Sequence, residues 1–183
     1  NTDIIFTTDH GELQGDFGLL FKGPYHVDAL MRLPLIWKPA GNTQASSIAA
    51  PVGHLDLAST FCEIADIEVP DYCQGQPLPR TNAQAESQNR DCVLTEWDSE
   101  HGPIDMHLAS IYEQSGWLAT RYRESTLYDG SEGELYNMSE DPQQTVNLWT
   151  DPSSKGIRDD LVDLLEARLP KTRSPRLERQ APV

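Results

Sequence analysis

The sequence predicts an α/β chain: a layered α/β half followed by a small antiparallel sheet that a C-terminal helix closes. Three observations predict it. Near the start, short apolar runs alternate with a helical segment. From residue 93 onward, strand-like segments follow one another with only turn residues between them. Residues 157–169 then repeat apolar positions at helical spacing.

Taken in order, residues 3–8, DIIFTT, form an apolar, β-branched run that reads as a fully buried parallel strand. A loop punctuated by Gly11, Gly15, Gly18 and Gly23 follows, then a short helix within 24–32 with Tyr25, Ala29 and Leu30 to one side. LPLIW, residues 33–37, reads as a second buried strand stopped by Lys38-Pro39. Residues 54–67, HLDLASTFCEIADI, place Ala58, Phe61, Cys62 and Ala65 at i, i+3, i+4 and i+7 and predict a helix. Residues 40–53 and 68–91 read as loops, the second with Pro70, Pro77, Pro79 and the polar tract TNAQAESQNRD.

VLTEW (93–97), LASIYEQ (108–114), GWLATRYRES (116–125) and GELYNM (133–138) then predict an antiparallel sheet, with Gly130 and Gly133 suited to a hairpin. The last helix faces inward through Ile157, Leu161, Leu164 and Leu165 and stops at Pro170. The chain thus changes character near residue 81, from an α/β half (1–80) to a β-plus-helix half (81–170). Residues 171–183 read as a flexible basic tail.

Composition narrows the function. A net charge of −15 repels phosphate backbones, which argues against nucleic acid and anionic membranes as partners. It also gives an anionic substrate no long-range steering, so an anion site has to be local. No run of about 18 apolar residues occurs. Cys62, Cys73 and Cys92 form no C-x-x-C pair and read as structural. Their sparseness fits a bacterial cytoplasm or periplasm and assigns neither. Asn137-Met138-Ser139 matches a glycosylation sequon, a pattern met by chance. The first residues read as the inside of a domain, so the chain is expected to be part of a longer one. The open flank of strand 3–8 is then expected to drive homo-oligomerisation.

Chemistry concentrates in FTTDHGELQGDFGLLFKGPYH. Asp9 and His10 stand where the first strand ends, the edge at which open α/β sheets gather functional groups. A carboxylate beside a neutral imidazole is a workable metal pair, and Gly11 permits a sharp turn after it. Lys22 can return an ammonium to the same crevice. A metal and a lysine aimed at one point hold a tetrahedral oxyanion. The bland alternative is an Asp-capped turn with a solvated lysine.

Beyond this pair, His26 is a candidate to line the pocket. His54 reads as a capping or packing residue. His101 and His107, with Asp98 and Glu100, fall in a loop expected to reach over the cleft. Arg32 reads as a loop anchor through a carboxylate, and SEDP (139–142) as a turn.

FTTDHGELQGDFGLLFKGPYHVDALMRLPLIW resembles the sulfatase family of the alkaline phosphatase superfamily: a strand, S/T-D-H/N-G, G-x-x-x-K-G, then an R-x-P-L/F-I strand. GHLDLASTFCEIADIEVPDYCQGQPL and GELYNMSEDPQQTVNLWTDP resemble the family's next and late segments, in the same order. Bacterial arylsulfatases, choline-sulfatases and phosphonate monoester hydrolase-like members are similar. The resemblance implies the C-terminal part of an alkaline-phosphatase-like α/β/α sandwich, the end of a larger α/β domain, for residues 1–80 and the small subdomain for 81–170.

It also implies Asp9 and His10 as ligands of a divalent metal, calcium foremost with manganese or magnesium possible. Lys22 would contact a small-molecule sulfate ester. The family's nucleophile is a formylglycine made from C/S-x-P-x-R. No such motif occurs here, and Phe17 replaces a histidine often found in relatives. The resemblance therefore implies a catalytic nucleophile outside this chain, which alone should be inactive. A phosphonate monoester or phosphodiester hydrolase shares the same residues. A non-catalytic binding or assembly domain is the reading from another class.

Overall fold

The computed structural model describes residues 2–42, 44–101 and 103–170. The tail 171–183 lies outside them. Four long strands form the main sheet: β3 (Cys92–His101), β4 (Ile104–Glu113), β5 (Trp117–Tyr122) and β6 (Gly133–Asn137). They pair as an antiparallel meander in the order β3-β4-β5-β6. The register sets Ile111 opposite Ala119, and Ala119 opposite Leu135. Those three, with Ala109, make one apolar face. The helix α4 (Lys155–Arg168) lays Leu161 and Leu165 on that face, with Trp149 and Leu169 beside them. Burial of such side chains contributes about 1.5–3 kcal/mol each.

The other face of the sheet is also covered. All of Leu108 to Ile111 is buried, so alternate residues of β4 find partners on both sides. Ser110 stands opposite Thr120 on the second face. Leu108, Leu118 and Tyr136 flank them and are buried. The antiparallel sheet and the closing helix match the sequence reading. His107, however, lies inside β4 opposite Asp98, because the hairpin β3–β4 extends almost to its tip. β3 runs to His101 and β4 starts at Ile104, so Asp98, Glu100 and His107 lie in strands rather than in the expected loop.

The first half departs further from expectation. β1 (Ile4–Phe6) and β2 (Ile36–Lys38) pair with each other, and they are antiparallel rather than parallel. Pro34 has no backbone N–H to donate, so pairing starts two residues after it. The pleat turns Ile5 inward and leaves Ile4 and Phe6 55% and 59% exposed, so the run is not fully buried. Ile36, opposite Phe6, is exposed with them. A short helix α1 (Asp28–Met31) connects the two strands, and Leu30 is its buried residue.

Helix α2 (Leu55–Ile64) exists where expected, but its buried face is the polar one. Asp56, Ser59 and Thr60 are buried, while Phe61 and Leu55 are more than half exposed. Asp56 accepts from Gly53 N at 3.0 Å, Gln76 N at 2.9 Å and Arg90 Nη1 at 2.8 Å. Ser59 Oγ donates to Gly75 O at 2.7 Å, and Thr60 Oγ1 accepts from Leu78 N at 2.8 Å. Gly75 is required there, since a Cβ would fall 2.1 Å from Leu55 O. The segment read as loop 68–91 holds a further helix, α3 (Asn82–Ser87). Thr81 Oγ1 caps it by accepting from Gln84 N, and Gln84 Oε1 accepts in return from Arg80 N. T-x-x-Q was the overlooked signal.

Two substitutions separate these two kinds of core. Leu135→Ala is expected to cost about 2–5 kcal/mol by leaving a cavity. Arg90→Ala is expected to cost about 3–5 kcal/mol by stranding the Asp56 charge. Urea unfolding of the two variants against the parent chain measures both.

Candidate active site

β1 delivers Thr7 and Thr8, and then Asp9 and His10, to the loop beyond its end. Gly11 pins that loop. Its N–H donates to Leu30 O at 3.0 Å, and a Cβ on it would lie 1.8 Å from Ala29 O. Glycine is therefore needed for close approach to α1 rather than for a left-handed turn; its φ is not among the positive ones. Leu13 plugs the loop into an apolar cluster with Val27 and Leu30. Leu13 N donates to Phe21 O at 2.8 Å, which brings the loop back beside its start and places Lys22 there. Phe21 takes a left-handed φ of 66° at the return and stays exposed.

Asp9, His10 and Lys22 meet. The His10 ring makes two contacts that define its protonation. Nδ1 is 2.7 Å from Gly11 O, an acceptor only, so Nδ1 carries the proton and donates. Nε2 keeps its lone pair and accepts from Lys22 Nζ at 2.7 Å. Asp9 Oδ2 lies 3.5 Å from the same Nε2. The Asp9 carboxyl is held below the usual carboxylate range by its own backbone amide first, then by the His10 imidazole and the Thr8 hydroxyl. An ionised carboxylate next to an imidazole whose tautomer a carbonyl has set is a donor set that fits a divalent cation. These are two donors. Among the described residues no group of three or more His, Cys, Asp or Glu is placed to hold an ion.

His26 goes elsewhere. It is 2% exposed, and its Nδ1 lies 2.5 Å from Ser110 Oγ on the main sheet. Burial lowers its pKa to about 4. His54 precedes α2 without a side-chain capping bond. His107 Nδ1 and Nε2 sit 2.8 Å from Asp98 Oδ1 and 3.3 Å from Asp105 Oδ2. The Asp98 hydrogen bond is the main cause that raises its pKa. Arg32 is exposed, 3.9 Å from Asp28 Oδ2. SEDP forms a turn in which Asp141 accepts from Thr145 Oγ1 and Val146 N. Ser110 was not singled out from sequence, since a serine within a strand carries no pattern of its own.

The family model of the N-sulphoglucosamine sulphohydrolase C-terminal region matches residues 15–171. The chain belongs to the sulfatase family, in its C-terminal region. Among curated relatives it is 30% identical to the Escherichia coli K12 sulfatase YidJ over 96% of this chain and 33% of that protein. It is 27% identical to a Delta 4,5-hexuronate-2-O-sulfatase of Bacteroides thetaiotaomicron over 86% of this chain and 32% of the relative. A solved 2-O GAG sulfatase superposes with a TM-score of 0.78 at 25% identity, over 91% of this chain and 35% of that one. The chain thus spans about a third of the length of these relatives. Sulfatases generally use a divalent metal, and the Asp9–His10 pair is of the chemistry such an ion takes.

The His26 environment makes a pH prediction for this sulfatase region. The folded state lowers the imidazole pKa from 6.5 to about 4, so folding favours the neutral ring. Stability from this group is complete above pH 6.5 and is lost as pH falls toward about 4, by roughly 3 kcal/mol in all. Urea unfolding at pH 7, 5.5 and 4 is expected to show this loss, reduced in His26→Gln.

Proposed function

We propose that the chain is the C-terminal part of a hydrolase of sulfuric esters, with Asp9 and His10 as metal ligands and Lys22 on the sulfate. The convergence of Lys22 Nζ and Asp9 Oδ2 on His10 Nε2, at 2.7 Å and 3.5 Å, is the observation that carries the reading. Residues 1–80 are the end of the large α/β/α domain, and 81–170 are its small subdomain. The nucleophile, a formylglycine in the family, belongs to sequence outside these residues. Calcium suits the site best, with manganese or magnesium next, because a carboxylate oxygen leads the donor set.

The chemistry follows from charge. Breaking the S–O bond to the alcohol gathers negative charge on the leaving and nonbridging oxygens. A divalent ion at Asp9 and His10 supplies positive charge to that group when bound. Lys22 directs an ammonium hydrogen bond to the same oxyanion. The Gly11 carbonyl holds the His10 proton on Nδ1 and keeps Nε2 a lone-pair donor toward the ion. Relatives named for hexuronate-2-O-sulfate and GAG sulfate cleavage support a sulfated sugar as the substrate class. No described helix is long and apolar enough to cross a membrane, and the net charge of −15 offers nucleic acid no footing.

In the full-length protein, Lys22→Ala is expected to lower kcat/KM on an aryl sulfate by about 10²–10³-fold. Asp9→Asn should lower bound metal measured by elemental analysis. A dominant rate on phenylphosphonate would instead make the enzyme a phosphonate monoester hydrolase. Loss of neither activity nor metal in these variants would leave a non-catalytic domain.

The 183-residue chain alone should bind calcium only weakly in calorimetry, because it brings two donors; tight one-to-one binding would refute the shared site. With Ile4, Phe6 and Ile36 facing outward, the same chain should scatter light as an oligomer. A clean monomer would contradict that.

A further inference from the structure

We propose that His26, Ser110 and Thr120 form a buried positioning relay that sets the geometry of His10 and Lys22 from the main sheet. The inference rests on reading Asp9, His10 and Lys22 as the anion site. His26 Nδ1 lies 2.5 Å from Ser110 Oγ, and Ser110 Oγ lies 2.7 Å from Thr120 Oγ1. The three side chains are buried and join residues 84 positions apart. A second tie runs parallel, from Asp28 N to Gln144 Oε1 at 2.7 Å.

Both halves of the site hang from this joint. Forward from His26, α1 presents the Ala29 and Leu30 carbonyls that pin Gly11, and Gly11 O sets the His10 tautomer. Backward, only Gly23, Pro24 and Tyr25 separate His26 from Lys22. That link has little slack, since a Cβ on Gly23 would lie 2.8 Å from the Tyr25 ring and Pro24 has a locked φ. A shift of the 26–30 segment on the sheet therefore moves Lys22 and Gly11 together.

The joint also has a chemical oddity. His26 Nε2 and Gln144 Nε2 are buried and find no hydrogen-bond partner among the described residues. An apolar side chain could be buried beside Ser110 without that cost, as buried polar groups without partners are unfavourable. What an imidazole adds is direction: one donor–acceptor axis admits one placement of the segment, where an apolar contact tolerates sliding. Sheet register thereby reaches the oxyanion site.

The test uses the full-length protein stripped of metal, with two readouts: the 15N signature of the His10 ring and the acylation rate of the Lys22 amine. Ser110→Ala and His26→Leu cut the relay. His26→Asn keeps a side-chain N–H near the place of Nδ1. We expect the first two to lose the single His10 tautomer and to acylate Lys22 about tenfold faster, a change of about 1.4 kcal/mol. The Asn variant should recover most of both, and near-UV circular dichroism of the sheet should stay as in the parent.

Cut variants that keep the parental tautomer and labelling rate would overturn the relay alone. A parent chain with no His10 tautomer preference would overturn the site reading and the relay with it. If His26→Leu fails to fold, Ser110→Ala, which removes one hydroxyl, decides.

Discussion

The carboxylate of Asp56 is the point on which the middle of the chain depends. Its two oxygens receive backbone amides from either side of α2 and the guanidinium of Arg90. Arg90 also donates to Gln76 O and Pro77 O. Segments 53–56, 76–78 and 88–90 are thereby gathered on one buried ion pair. Little apolar material is available there to do the same work, because Leu78 and Ala85 are the buried hydrophobic residues between positions 50 and 90. A buried ion pair is weak as a net source of stability, yet breaking one partner is severe. The region is accordingly specified by direction and number of hydrogen bonds rather than by volume.

The main sheet works the opposite way. Its α4 side is closed by Leu161, Leu165, Leu169 and Trp149 over Ala109, Ile111, Ala119 and Leu135, a contact set by shape and area. Its other side carries Ser110 and Thr120 at the centre of an apolar surround. One sheet thus has a face that holds the fold and a face that receives the loop beside the site. Strand alternation makes that division automatic, since each β4 residue serves one face only.

These contrasts explain what was legible in the sequence. The strands 92–137 and helix α4 carry strong period-2 and period-3.6 patterns, and both appear close to where they were expected. The proximity of Asp9, His10 and Lys22 was legible because the motif returns the lysine to the end of the strand that carries the other two. The buried face of α2 was not. Periodicity assigns apolar residues inward, and here Phe61 points out while Asp56 points in, a choice made by Arg90 34 residues away. The pairing of β1 with β2 was equally hidden, because an apolar run of three residues reads alike in parallel and antiparallel sheets. His26 lay in the recognised stretch, but its role depends on Ser110, which no local pattern announces.

On the proposed reading, an acidic chain that is to hold a sulfate faces a plain electrostatic problem. Twenty-nine acidic residues against fourteen basic ones repel a sulfate at long range. Screening confines that repulsion to about 8–10 Å at physiological salt. Inside that distance the arrangement around His10 takes over. Lys22 brings its charge to the one imidazole nitrogen that holds a lone pair, and Asp9 stays ionised beside it. A divalent cation taken by that pair would leave Lys22 free to turn its ammonium to the anion. Under the proposed function, attraction for a sulfate would then be created at contact rather than by the long-range field.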